Sequence, residues 1–136
     1  MAYSNIYSLM NDVTKNGITE VSIDLASQNA DQRHAQIELL SDFLQVDKKI
    51  TSLSMIHCNL DDSDATLIAN ALKTNTTLNN LELWQNKIGP DGATDIANAL
   101  KENTGLEYIA IAANPIGNGG AIAFAELLKE ILKYKE

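Results

Sequence analysis

His57 and Cys58 stand side by side, an imidazole next to a thiol, and Asn86 and Asn114 follow Cys58 at successive intervals of 28 residues. Neighbours on an extended strand point to opposite faces, so a His57 base could not take the proton of Cys58 in that conformation, and no catalytic dyad is expected. His34, His57 and the single cysteine lack the spacing of zinc ligands, so no metal and no cofactor is expected either. Gly89-Pro90-Asp91-Gly92 and Gly117-Asn118-Gly119-Gly120 are glycine-rich but lack the lysine and hydroxyl of G-x-x-x-x-G-K-[ST]. In the preceding unit Asp61 and Asp64 replace the two repeated glycines, which argues for turns and against a shared phosphate site. Asn75-Thr76-Thr77 has the form of a glycosylation sequon and reads as another turn. With no constellation for bond chemistry, a non-enzymatic protein is expected, and attention moves to what the chain displays.

Display depends on the elements, and these repeat. ITSLSMIHCNL, LNNLELWQNKI and LEYIAIAANPI recur every 28 residues. Ile50, Leu53, Met55 and Leu60 align with Leu78, Leu81, Leu83 and Ile88, then with Leu106, Ile109, Ile111 and Ile116. A looser copy opens at Ile18 with Val21 and Ile23, 32 residues before Ile50, and its four or so extra residues are expected in the loop from Ser27 to Asp31. Behind each strand an alanine-rich stripe also aligns: Ile68, Ala69 and Leu72 with Ile96, Ala97 and Leu100, then with Phe124, Ala125 and Leu128. This i, i+1, i+4 spacing marks a helix buried on one side, and Leu40 and Leu44 begin the series. Ser63 and Asp91 are the expected N-caps, and Asn75 and Asn103 the left-handed residues closing the helices. Ile6, Leu9, Met10 and Val13 predict a short amphipathic helix before Gly17, and Gly120 to Tyr134 predicts the last helix.

The chain of 136 residues, 45% hydrophobic and 21% charged, suits one domain and no more. Its expected layout is an N-terminal helical cap over 1–17, an irregular first repeat over 18–49, regular repeats over 50–77 and 78–105, and a last repeat with a C-terminal helix over 106–136. Eighteen acidic against ten basic side chains leave a formal charge of −8, which disfavours nucleic acid and favours a protein partner with a basic or neutral surface. One cysteine makes no internal disulfide, and MAYSNIYSLMND lacks the basic and apolar regions of a signal peptide. No apolar run approaches a membrane span. A cytoplasmic protein without membrane contact is the expectation.

The pattern L-x-x-L-x-L-x-x-N/C-x-I/L, followed by a glycine turn and I-A-x-A-L-K-x-N, resembles the ribonuclease-inhibitor-like class of leucine-rich repeats, closely from Ile50 to Leu128 and more weakly from Ile18 to Gln45. The resemblance implies an α/β fold, a right-handed solenoid with about four parallel strands on its concave side and helices on its convex side. A strand-helix unit cannot bury its apolar face alone, and stacked neighbours complete the core. The resemblance further implies that Cys58, Asn86 and Asn114 form an inner ladder satisfying backbone groups, with Cys58 buried and inert.

Strand positions alternating away from the core then form rows across the concave face: Glu20, Ser52, Asn80, Tyr108; Ser22, Ser54, Glu82, Ala110; Asp24, Ile56, Trp84, Ala112. His57 and Gln85 follow at the strand ends. Trp84, Tyr108 and Ile56 are the expected apolar anchors of a partner protein, with Asn80, His57 and Gln85 beside them and Glu20, Asp24 and Glu82 setting charge complementarity. Similar family members bind protein ligands in this manner. Scarce arginine with abundant Asn, Lys and Ile fits an AT-rich genome, and short repeat proteins of this type occur among bacterial effectors delivered into host cells. Two alternatives come from other classes. NKIGPDGA, Asn86 to Ala93, is similar to repeats of the GTPase-activating family acting on Ran, although the only arginine here, Arg33, lies in the irregular unit. The solenoid ends could also self-assemble; if Ile6 to Val13 covers one end and Gly120 to Glu136 the other, a monomer is expected.

Overall fold

In the computed structural model, which describes residues 2–133, each period becomes one short strand and one helix. The order is β1 (Ala2–Tyr3), α1 (Ile6–Asn16), β2 (Glu20–Ile23), α2 (Ala30–Val46), β3 (Ser52–Ser54), α3 (Asp62–Leu72), β4 (Asn80–Glu82), α4 (Pro90–Glu102), β5 (Tyr108–Ala110) and α5 (Gly117–Lys133). All strands are parallel and neighbours in sequence are neighbours in the sheet, β1 to β5. The register pairs Glu20 with Ser52, Ser52 with Asn80, and Asn80 with Tyr108, the alignment of the repeats read in space. Leu53, Met55, Leu81 and Leu83 are fully buried on the helix side, over Ile37, Leu40, Ile68, Leu72 and Ile96. Each such side chain contributes about 1.5–3 kcal/mol, so the strand-helix layer carries most of the fold. No helix among the described residues is long and apolar enough to cross a membrane.

Among the described residues the sheet has five strands where four were expected, because Ala2 and Tyr3 pair with Ser22 and Ile23 and the Asp24 amide donates to the Tyr3 carbonyl at 2.8 Å. Two residues carry no readable alternation. Behind them α1 buries Ile6, Leu9 and Val13 completely, with the Asn5 side chain accepting from the Tyr7 and Ser8 amides and Gly17, at φ 67°, ending the helix. The N-terminal end of the solenoid is thereby covered.

The extra residues of the first unit lie in its helix, not in the loop after β2. From strand start to helix start is the same step in the first three units, whereas α2 has 17 residues against 13 in α4. Four residues make about one turn, so the helix lengthens without disturbing the strand register. The caps differ from expectation too. Asp61 caps α3 in a reciprocal box with Asp64, leaving Ser63 inside the first turn. At α4 the N-cap is Gly89, without a side-chain cap, and Asp91 lies inside the helix. The Gly89 amide instead donates to Asp62 Oδ1 of the previous repeat at 2.6 Å. A Cβ on Gly92 would stand 2.6 Å from that same oxygen, so this cross-repeat cap requires glycine there.

Asn75 and Asn103 are not left-handed helix closers. Asn75 Oδ1 accepts from the Thr77 and Leu78 amides while its Nδ2 donates back to the Leu44 carbonyl at 2.8 Å. Asn103 repeats this with Gly105, Leu106 and the Leu72 carbonyl, and Asp47 does the acceptor half with Lys49 and Ile50. The asparagine of the sequon is therefore buried and committed. The last helix begins at Gly117 rather than Gly120, and its expected end, Tyr134, lies outside the described residues. Its aligned stripe is not sealed: Phe124 is half-buried, and Ala125 and Leu128 are exposed.

Candidate functional site

Short strands held in one register present their outward side chains as rows. Across the open sheet face run Glu20, Ser52, Asn80 and Tyr108, then Ser22, Ser54, Glu82 and Ala110. Asn80 Nδ2 donates to Ser52 Oγ at 2.9 Å, and Ser54 Oγ to Glu82 Oε2 at 3.5 Å. The serines and carboxylates at the β2–β4 end line a shallow polar depression. In the third row Ile56 lies opposite Trp84, since the amides flanking it donate to the Glu82 and Trp84 carbonyls, and Gln85 donating to Ala112 sets Trp84 opposite Ala112. Trp84 is 37% and Tyr108 55% exposed, whereas the neighbouring Leu83 is fully buried. Ile56 is half-buried; Glu20, Asp24, His57 and Gln85 are exposed. Asp24 folds back on the local chain, its Oδ1 accepting from the Ala26 amide. Tyr108 stands at the corner of the sheet, where the open face meets the C-terminal end.

Beneath the rows, the ladder holds the strand ends. Asn86 Oδ1 accepts from the Cys58 and Leu60 amides at 2.8 and 3.1 Å, and its Nδ2 donates to the Met55 and Leu83 carbonyls at 2.7 and 2.8 Å. Asn114 accepts from the Ile88 amide and donates to the Leu83 and Ile111 carbonyls. Cys58 takes the same post with only a donor, its Sγ reaching the Ile23 carbonyl at 3.2 Å, and burial pushes the thiol above its usual 9.0. Contrary to expectation, His57 is not on an extended strand. It has φ 56°, as Gln85 has 59° and Ala113 57°, so the chain makes the same left-handed turn at the same place in three repeats. A non-glycine residue adopts that region only where the surroundings hold it, and here the ladder residue after each turn, Cys58, Asn86 or Asn114, bonds back to the preceding repeat.

A second polar cluster, not anticipated from the sequence, lies between α2 and α3. Arg33 is buried, its Nε donating to the fully buried Asp64 Oδ2 at 2.9 Å and its Nη2 to Asp61 Oδ2 at 3.3 Å. His34 Nδ1 lies 3.0 Å from Asp64 Oδ1 and 3.4 Å from Ser63 Oγ. Both contacts use one ring nitrogen, so Ser63, His34 and Asp64 do not form a proton relay, which needs one partner on each nitrogen. Partial burial raises the Asp61 carboxyl, but hydrogen bonds from Ser63 and the Asp64 amide, with the Arg33 charge, outweigh it and hold the group below its usual 3.8. The signal for this cluster was the replacement of two repeat glycines by Asp61 and Asp64: where Gly92 admits a close helix contact, Asp64 fills the space together with Arg33. Arg33 is occupied structurally and is not displayed to a partner's phosphates.

Comparison with known proteins agrees with this geometry. The family model described as Leucine Rich repeat matches residues 74–97 and 102–125. A comparison with curated proteins finds no match. Among solved structures, the fold is similar to that of Leiomodin-1 Actin-Binding Site 2, with a TM-score of 0.79 and 24% identity over 94% of this chain and 75% of that one. It is also similar to the tropomodulin C-terminal domain of Caenorhabditis elegans, with a TM-score of 0.58 and 16% identity over 94% and 93% of the two chains. The parallel five-strand sheet, the 28-residue register and these matches give the chain the fold of a leucine-rich repeat α/β solenoid.

Proposed function

We propose that the chain is a protein-binding module whose open, concave sheet face receives a partner, with Trp84, Tyr108 and Ile56 as apolar anchors and Glu20, Asp24 and Glu82 selecting a basic or neutral surface. The observation that carries this reading is Trp84. The only tryptophan is more than one-third exposed on a rigid sheet while the leucine before it fills the core. Aromatic side chains held on a rigid face lose little entropy on binding and are the usual hot spots of interfaces. The rows around it contain no lysine or arginine, so a positively charged segment would meet three carboxylates and no like charge.

Actin is the first partner to test, because one structure of similar fold is named as an actin-binding site. The assay is pull-down and titration with the wild type, Trp84→Ala and Tyr7→Ala, the last removing a 63% exposed aromatic from α1, away from the sheet. For any partner found, Trp84→Ala should weaken binding by about 30-fold and Tyr7→Ala should not. Equal affinity of the wild type and Trp84→Ala for a bound partner would refute the site.

A further inference from the structure

At the preceding boundary of the solenoid the same positions are sealed by the next repeat: Leu78, Leu81, Leu83, Ile88, Ile96 and Ala97 are at most 1% exposed. One period later, Leu106, Ile109, Ile111, Ile116 and Phe124 are only half-buried and Ala125 is exposed. Leu100, Leu106, Ile109, Phe124, Leu128 and Ile131 line a groove of about 450 Å³, with Leu128 57% and Ile131 42% exposed. Beside the groove runs β5, the outer strand of the sheet. Among the described residues this end has the composition and shape of a repeat-to-repeat interface.

The chain's own opposite end does not fit it. There α1 turns its apolar side inward and exposes Tyr7, Ser8, Asn11, Thr14 and Lys15, so head-to-tail stacking would set an apolar groove on a polar helix. The matching surface is the same C-terminal end of another molecule. Charge favours that approach: residues 101–136 hold five acidic and four basic side chains, whereas residues 1–100 hold thirteen and six. Two strongly acidic molecules repel least when they meet at this nearly neutral end. We infer that the chain forms a two-fold homodimer through its C-terminal end, groove against groove with the two β5 edges adjacent. An isologous contact of this kind closes on itself and yields a dimer rather than a fibre.

Sedimentation velocity on the full chain from about 1 to about 300 μM tests it. A reversible monomer–dimer equilibrium is expected, with Leu128→Glu raising the dissociation constant at least about tenfold by placing a charge in the apolar contact. Ile122→Glu, at a site 59% exposed but outside the groove, should leave it unchanged. Leu128 is mostly in solvent already, so its variant should melt like the wild type; if it does not, Ile131→Lys replaces it in the comparison. A wild type that is monomeric throughout, a Leu128→Glu or Ile131→Lys variant that dimerises normally, or species that keep growing with concentration would overturn the inference. Trp84→Ala should dimerise as the wild type does, because Trp84 lies outside the groove although Tyr108 borders both surfaces; a dimer lost in that variant would place the contact on the sheet face and refute the assignment.

Discussion

Leu83 and Trp84 are adjacent, and truncating each to alanine measures which side of the sheet it occupies. Leu83 is fully buried and packed on all sides, so Leu83→Ala loses the transfer energy of its methyl groups and opens a cavity. Substitutions of this kind cost about 3–5 kcal/mol, which for a chain of 136 residues lowers Tm by roughly 10–15 °C. Trp84 has 37% of its surface in water. Its covered area, on the order of 100–150 Å², would be worth about 3 kcal/mol at the usual coefficient, but that figure counts contacts an unfolded chain also retains. No enclosed cavity forms when a surface ring is removed, and a cost of about 1 kcal/mol is expected, a shift of roughly 3–5 °C. Thermal melts of the two variants by circular dichroism give the structural half of the test, and titration with a partner gives the other. There the order should reverse, with Trp84→Ala losing about 2 kcal/mol of affinity or more. If Trp84→Ala unfolds as readily as Leu83→Ala, the indole belongs to the core and the proposed binding face is wrong.

Asn86→Ala strips partners from the Cys58 and Leu60 amides and the Met55 and Leu83 carbonyls. It should cost about 3–5 kcal/mol in urea unfolding, with Asn86→Asp unable to rescue it because a carboxylate cannot donate to the two carbonyls. Arg33→Met leaves Asp64 buried without its cation and should lose about 3–5 kcal/mol, most of it recovered in Arg33→Met/Asp64→Leu; a double variant no better than the single would mean the ion pair is not the reason. The Asp61 carboxyl is held below 3.8, so the stability it contributes is present above that value and disappears as pH falls through the lower, folded-state value. Ser63→Ala removes one of the bonds holding it down, and the drop in Tm between pH 7 and about pH 2.5 should shrink in that variant.

The repeat was legible because it is written in side-chain type: Leu53, Leu81 and Ile109, and Met55, Leu83 and Ile111, recur at one interval, and stacking identical units leaves one way to bury them. The outward rows followed from strand alternation, which is why Trp84, Tyr108 and Glu82 could be assigned to one face from spacing alone. The turn at His57, Gln85 and Ala113 was not legible, since glutamine and alanine do not announce a left-handed backbone and no residue type recurs there; the ladder side chains support it from outside. Nor was β1, whose two residues are a strand only because β2 offers an edge.

What the sequence by itself determined was the period, the parallel strand-helix architecture and the division of side chains between core and open face, all local or periodic properties of residue type. Only the tertiary structure decided how the repeats meet. The capping of α4 by Asp62, the return bonds of Asn75 and Asn103 to the preceding repeat, the burial of Arg33 on Asp64 and the uncovered groove beside α5 each join groups about one period apart. Such contacts depend on the distance and angle between neighbouring units, which packing sets and no single repeat encodes.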